Sequence, residues 1–198
     1  MEKVLLINTH LTYPNWTEGK LNQSLYDVAK TYFTELGSDI LETKVEEGYN
    51  LEEEVQKHTE AKIVILQMPV NWFGAPWIYK KYVDEVFNVG LFNQKLLIGD
   101  GRSKEDPTKQ YGTGGLMKGK KFMICATWNA PKEAFNNPLN PVFQGKTTAD
   151  LFLNISSNYK FCDFEIVPDY NCFDIFRSQT IVEDIEKYKM YLRDSFIK

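Results

Sequence analysis

Apolar residues along this chain fall into two alternating arrangements: short unbroken runs, and longer stretches in which they recur every three or four positions. Val4-Leu5-Leu6-Ile7 is an unbroken run of strand length, the pattern of a strand buried on both faces of a parallel sheet. A polar loop rich in Thr, Pro and Asn follows. Leu21, Leu25, Val28, Ala29, Tyr32, Phe33 and Leu36 then recur at helical spacing, and Gly37 stands where that helix should stop. The alternation repeats. Residues 39–45 predict a second strand, and Asn50 with Glu53 resembles a capping box opening a short helix through Val55. Ile63-Val64-Ile65-Leu66 predicts a third strand, and Pro76 suits the first turn of a helix through Tyr82, Val83, Val86 and Phe87. Residues 122–126 and 161–167 predict the fourth and fifth strands, with a helix over 147–157 between them. Ile181, Ile185, Tyr188, Leu192 and Phe196 share one face of a final helix.

Strands alternating with helices, with no repeat of solenoid period, predict an α/β domain spanning residues 1–198: a doubly wound, five-stranded parallel sheet with helices on both faces, the flavodoxin-like count. Ligands of such sheets bind at the carboxyl ends of the strands, near the switch point. The loops after strands one, three and four are therefore the candidate sites. The stretch 90–118 shows no periodic element, and loops of that size in compact domains usually serve a function.

Composition narrows the function. At 198 residues and 43% hydrophobic, the chain can bury a sizeable core. Its net charge of -4 is weak and evenly spread, which argues against nucleic-acid or anionic-membrane binding. Cys125, Cys162 and Cys172 are odd in number, lack CxxC spacing and sit among apolar residues, so they read as reduced, buried thiols of a cytoplasmic protein. The first apolar run is too short for a signal peptide, and none approaches the roughly 20 residues that span a membrane.

Several chemistries lack their residues: no GxSxG, GxxxxGK[ST] or HExxH occurs, and His10 and His58 alone make a histidine metal site implausible. His58 reads as a solvated helix residue, and Glu52-Glu53-Glu54 and Lys80-Lys81 as solvated faces. Gly112-Thr113-Gly114-Gly115 precedes a strand, whereas a dinucleotide fingerprint follows one, so it reads as a turn. Thr17-Glu18-Gly19-Lys20-Leu21-Asn22-Gln23-Ser24 leads into a helix amino terminus, where backbone N–H groups and the dipole attract phosphate. Ordinary capping is the alternative there, and His10 would meet the same anion, although a lone loop histidine is more often incidental. Met68-Pro69-Val70-Asn71-Trp72-Phe73-Gly74-Ala75-Pro76-Trp77 is more informative, because a loop at a strand end has little structural reason to carry two aromatic rings beside Gly and Pro. Thr127-Trp128-Asn129-Ala130-Pro131 repeats the arrangement after the fourth strand. Together the two loops suit a flat aromatic ligand.

At Gln67-Met68-Pro69 through Trp72, Gly74-Ala75-Pro76-Trp77, Lys80-Lys81-Tyr82, Asp100-Gly101-Arg102, Tyr111-Gly112 with Gly114-Gly115-Leu116, Gly119-Lys120-Lys121 and Thr127 to Pro131, the chain resembles the modulator of drug activity B group of NADPH quinone reductases, a bacterial branch related to DT-diaphorase. The likeness covers most of the chain and is weaker in the carboxyl-terminal third. It implies a flavodoxin-like homodimer that binds FAD near the subunit interface and passes a hydride from NADPH or NADH to a quinone in a ping-pong cycle. By position, Thr17 to Ser24 would meet the FAD phosphates and adenosine, and Val70, Asn71, Trp72, Phe73, Thr127, Trp128, Asn129 and Ala130 would hold the isoalloxazine. Tyr111 would be a further flavin contact, making the 112–115 loop a site wall. The loop from His10 to Trp16 departs from the family pattern. No residue takes a catalytic proton-transfer role, since a flavin carries the chemistry. FMN in place of FAD stays open, as does a flavin-bearing electron carrier or regulatory subunit that docks a protein partner.

Overall fold

The computed structural model describes residues 2–14, 17–177 and 181–196. Strands β1 (Lys3–Asn8), β2 (Asp39–Lys44), β3 (Ile63–Pro69) and β4 (Lys121–Thr127) pair in parallel in the order β2-β1-β3-β4. Two short segments, β5 (Glu165–Ile166) and β6 (Tyr170–Cys172), pair with successive parts of the far edge of β4. Pro168 lies in the gap between them, where it lacks the N–H that a continuous strand would donate. The fifth strand is therefore broken and begins later than the expected 161–167. Residues up to Phe161 finish a helix instead, because Tyr159 is fully buried with its ring stacked 3.5 Å from that of Phe122.

Alternation of side chains across each strand sends Val4, Leu6, Ile63, Ile65 and Met123 to one face, under α1 (Lys20–Glu35) and α6 (Ile181–Phe196). Leu5, Ile7, Val64, Leu66 and Phe122 go to the other, under α2 (Leu51–Glu60), α3 (Trp77–Phe92) and the helix pair α4 (Thr148–Leu151) and α5 (Leu153–Phe161). Where one helix was expected over 147–157, buried Phe152 separates two. The reciprocal capping box sits there too, between Thr147 and Asp150. At α2, Asn50 accepts from the N–H groups of Glu52 and Glu53 with no return bond from Glu53 recorded. The sheet is thus the doubly wound flavodoxin-like arrangement. Its order reverses between β1 and β3, so their carboxyl ends part and open a crevice.

Two residues read as solvated are buried. Glu54 is 1% exposed and accepts from Thr43 Oγ1 (2.8 Å), Tyr82 Oη (2.6 Å) and Lys57 Nζ (2.6 Å). His58 is fully buried, its Nδ1 2.8 Å from the Glu54 carbonyl, between the rings of Phe87 and Tyr159. Positions 54, 55 and 58 form the inner stripe of α2, and its polar members are tolerated because α3, β2 and α5 supply partners. Burial pushes the His58 pKa below its ordinary 6.5. The unfolded chain therefore binds a proton below pH 6.5 that the folded chain refuses, so stability falls on acidification through that window. Urea melts at pH 8, 7, 6 and 5 should lose up to about 1.4 kcal/mol per pH unit below 6.5. His58→Gln should flatten that slope, whatever it does to the absolute stability.

Candidate functional site

The carboxyl ends of β1, β3, β4 and β6 open onto a groove with two connected parts. A cleft of about 440 Å³ is lined by His10, Thr17, Glu18, Gly19, Lys20, Leu21 and Asn22, and a slot of about 740 Å³ by Val70, Asn71, Trp72, Phe73, Thr127, Trp128, Asn129 and Ala130. Thr17, Pro69, Thr127, Ile175 and Phe176 line both.

The cleft is built on the amino terminus of α1. Its N-cap is Gly19, in the left-handed region with φ 67°, and no side chain caps the helix. The first ladder bond is Gln23 N–H to the Gly19 carbonyl (2.8 Å), which leaves the N–H groups of Lys20, Leu21 and Asn22 without intrahelical acceptors. Ordinary capping is therefore not what this segment does. The His10 imidazole lies flat on Gly19, where a Cβ would sit 2.4 Å from Nε2, and that Nε2 is buried without a hydrogen-bond partner. Burial lowers the His10 pKa, opposed by the charge of Glu46. Two further residues of the expected stretch do not line the cleft: Gln23 bridges Asn8 Nδ2 (3.4 Å), from which it accepts, and Asp27 (2.8 Å), to which it donates, and Ser24 donates to the Lys20 carbonyl (2.9 Å). The Asn22 side chain points inward, 3% exposed, so only its backbone faces the cleft.

The slot is built on two loops joined by a Val70 N–H bond to the Thr127 carbonyl (2.9 Å). Asn71 and Gly74 exchange both backbone bonds (2.9 and 3.2 Å) around a two-residue turn. Its central residues, Trp72 and Phe73, have φ 49° and 69°. Turns of this kind prefer Asn-Gly, and a left-handed conformation costs an ordinary L-residue about 1–2 kcal/mol. Strained aromatics at a strand end point to a use for those rings. Trp72 is 91% exposed, while the Phe73 ring meets Phe143 edge-on at 5.8 Å. Trp128, by contrast, is 2% exposed: its Nε1 donates to Asn171 (2.7 Å) and its ring stacks on Phe152 (5.3 Å). It is the floor of the slot rather than a free ring face.

Tyr111 does not reach this groove in its own chain. It projects from the 97–115 loop, 69% exposed, packed on Phe161 (5.1 Å) beneath the Arg102 guanidinium (5.7 Å). That loop folds around a separate concavity of about 720 Å³ lined by Asp100, Arg102, Lys109 and Gln110 among others. Gly114 and Gly115 have a packing reason of their own, since a Cβ would meet the Gly99 carbonyl oxygen and the Cys162 backbone at 2.2 Å. Leu11, Tyr13, Trp77, Ile175 and Phe176 line the groove without having been given a site role. Trp77 carried a signal, one helix turn beyond the aromatic loop; Ile175 and Phe176 follow the broken fifth strand and carried none. Asn15 and Trp16 of the divergent loop lie outside the described residues. The three thiols are buried and unpaired, and burial pushes those of Cys162 and Cys172 up to about 12, which makes them poor nucleophiles. No helix among the described residues is long and apolar enough to cross a membrane.

A phosphate-seeking helix end that opens into a flat aromatic slot suits a ligand with an anionic half and a planar half. Comparison with known proteins agrees. A crystal structure of a Klebsiella pneumoniae protein assigned as a quinone reductase superposes with TM-score 0.78 at 18% identity, covering 100% of this chain and 86% of that one. General stress protein 14 of Treponema denticola, solved with FMN, superposes with TM-score 0.67 at 16% identity, covering 98% and 99%. At those identities the likeness is one of fold. In sequence, the NADPH:quinone oxidoreductase MdaB of Haemophilus influenzae is 38% identical over 180 residues, 91% of this chain and 92% of that protein. The Flavodoxin_2 family model, described as a flavodoxin-like fold, matches residues 2–194, and the chain belongs to that family, in its MdaB-type branch.

Proposed function

We propose that this chain is a single-domain NAD(P)H:quinone oxidoreductase of the cytoplasm that binds FAD, with the phosphates in the cleft and the ring in the slot. The observation that carries this reading is the buried, unpartnered His10 Nε2 beside an uncapped helix amino terminus, in a cleft continuous with an aromatic slot. The residues present fit the group: the cleft offers donors without acceptors, and the slot offers rings. FAD rather than FMN is supported by the MdaB-type kinship. Bound there, FAD would supply the redox chemistry of a ping-pong hydride relay between NADPH or NADH and a quinone.

The protein's own contribution is binding, orientation and exclusion of water. The N–H groups of Lys20, Leu21 and Asn22, with the dipole of α1, hold the phosphate end, and His10 donates from Nε2. Trp72 and Phe73 form a lip and Trp128 a floor that keep the slot apolar for a flat acceptor. A homodimer is part of the proposal: Tyr111 is exposed and outside the lining of its own groove, so a flavin contact from it would come across an interface with a second copy.

Purified protein supplied with FAD should oxidise NADPH with menadione present; a rate no greater than that of free FAD would sink the proposal. Chromatography of the cofactor released from the purified protein decides FAD against FMN. His10 adds a pH signature. Burial holds its pKa below 6.5 in the free protein, and an adjoining phosphate raises it, so binding takes up a proton and strengthens as pH falls between those two values. Fluorescence titration should find a lower FAD Kd at pH 6 than at pH 8, and His10→Ala should weaken binding about tenfold and remove that dependence.

A further inference from the structure

We infer that Gln67 is a positioning residue for the anion cleft, acting through Asn22 and Asn8; this rests on the flavin-nucleotide reading of that cleft. Gln67 sits near the end of β3, 1% exposed and outside the groove lining. Its Nε2 donates to Asn22 Oδ1 (2.9 Å), Asn22 Nδ2 donates to Asn8 Oδ1 (2.9 Å), and the same Oδ1 accepts the backbone N–H of His10 (2.9 Å). The Gln67 carbonyl also takes the N–H of Thr9 (3.1 Å). One residue thus holds both sides of the cleft: the first turn of α1 through Asn22, and the strand exit carrying His10 through Asn8 and Thr9.

Farther along the inner face of α1, Leu25, Ala29, Tyr32 and Phe33 pack on the sheet and Tyr26 Oη donates to Glu42 Oε2 (2.9 Å), which holds the helix body. At its first turn the directional ties are amide bonds: those of Asn22, and a longer one from Asn8 Nδ2 to Gln23 Oε1 (3.4 Å). Asn8, Asn22 and Gln67 are 6%, 3% and 1% exposed, and burying amides gains little over apolar residues of the same shape. What the chain of bonds adds is register: it aims the N–H groups of Lys20 to Asn22 outward and seats the His10 ring on Gly19. The chain ends at Gln67, whose Oε1 has no hydrogen-bond partner and whose side chain lies beside the Cys125 thiol.

The test compares wild type, Gln67→Met and the double variant Gln67→Met/Asn22→Leu, using three probes: FAD, ADP for the cleft alone and lumiflavin for the slot alone. Gln67→Met keeps the side-chain volume but strands the Asn22 acceptor, so its melting temperature should fall; the double variant removes the stranded group and should recover most of that loss. Affinity for FAD and ADP should stay weakened about tenfold in both variants, lumiflavin affinity should remain within about twofold of wild type, and the pH dependence of FAD binding should flatten. Recovery of FAD affinity together with stability in the double variant would reduce Gln67 to a structural residue and overturn the inference. So would Gln67→Met with wild-type ADP affinity. A wild-type protein that binds neither FAD nor ADP overturns the functional reading and this inference with it, so the two failures are told apart by the wild type alone.

Discussion

Replacing Gly19 with alanine is expected to weaken FAD binding by about a hundredfold while moving the melting temperature of the flavin-free protein by only a few degrees. Gly19 has φ 67°, where a side chain costs about 1–2 kcal/mol. That part of the effect is modest and falls on the fold. The larger part falls on the ligand. The new Cβ would lie 2.4, 2.5 and 2.6 Å from Nε2, Cε1 and Cδ2 of His10, so the imidazole must leave. It can leave, because His10 is only partly buried and can rotate outward, which is why the protein survives. The charge-assisted bond that His10 offers an anion is worth about 1.5–3 kcal/mol, and the backbone loses its close approach as well. A double-mutant cycle sharpens the test. In a His10→Ala background the clash is gone, so Gly19→Ala should cost only the lost backbone approach there, and the two substitutions should be strongly non-additive in FAD titrations. Additivity would mean that His10 and Gly19 do not form one site.

How much of this was legible in the chain depended on how local the cause was. Val4 to Ile7 and Ile63 to Leu66 announced their strands because a strand buried on both faces leaves an unbroken apolar run. The fifth strand did not, because Tyr170-Asn171-Cys172 is too short for any period and the more apolar Phe161 and Cys162 belong to a helix end. Glu54 and His58 looked solvated because their burial is decided elsewhere: Tyr82 and Thr43 satisfy Glu54, and Tyr159 packs against His58. The site divided in the same way. Gly19 before a helix and aromatics beside Gly74 and Pro76 are local signals, and both mark real walls of the groove. Which side of α1 faces the groove is not local, so Gln23 and Ser24 were included although they do not line it, and Gln67 entered only within a resembling motif, with no site role, although it anchors the cleft.

Exchanging Trp72-Phe73 for Asn-Gly should make the protein more stable by about 1–3 kcal/mol and cut its turnover with menadione at least a hundredfold. The two terms separate by residue. Trp72 is 91% exposed, so the folded state loses almost no burial with it, and Asn tolerates the left-handed conformation far better than an indole does. Trp72→Asn alone should therefore stabilise. Phe73 is half exposed and loses its edge contact with Phe143, worth about 0.5–1.5 kcal/mol, against a similar relief of strain on change to Gly. Phe73→Gly alone should be close to neutral. Activity should move the other way in both, because the turn's rings are the lip that shields the slot, whereas the cleft at α1 is untouched and ADP affinity should hold within about twofold. Urea melts and steady-state NADPH oxidation on the two single variants and the pair decide the matter. If Trp72→Asn destabilises the protein, the turn is not strained and its aromatics are structural. If it stabilises the protein at full turnover, the strain serves something other than this reaction. Gained stability with lost turnover is the signature of strain retained for function.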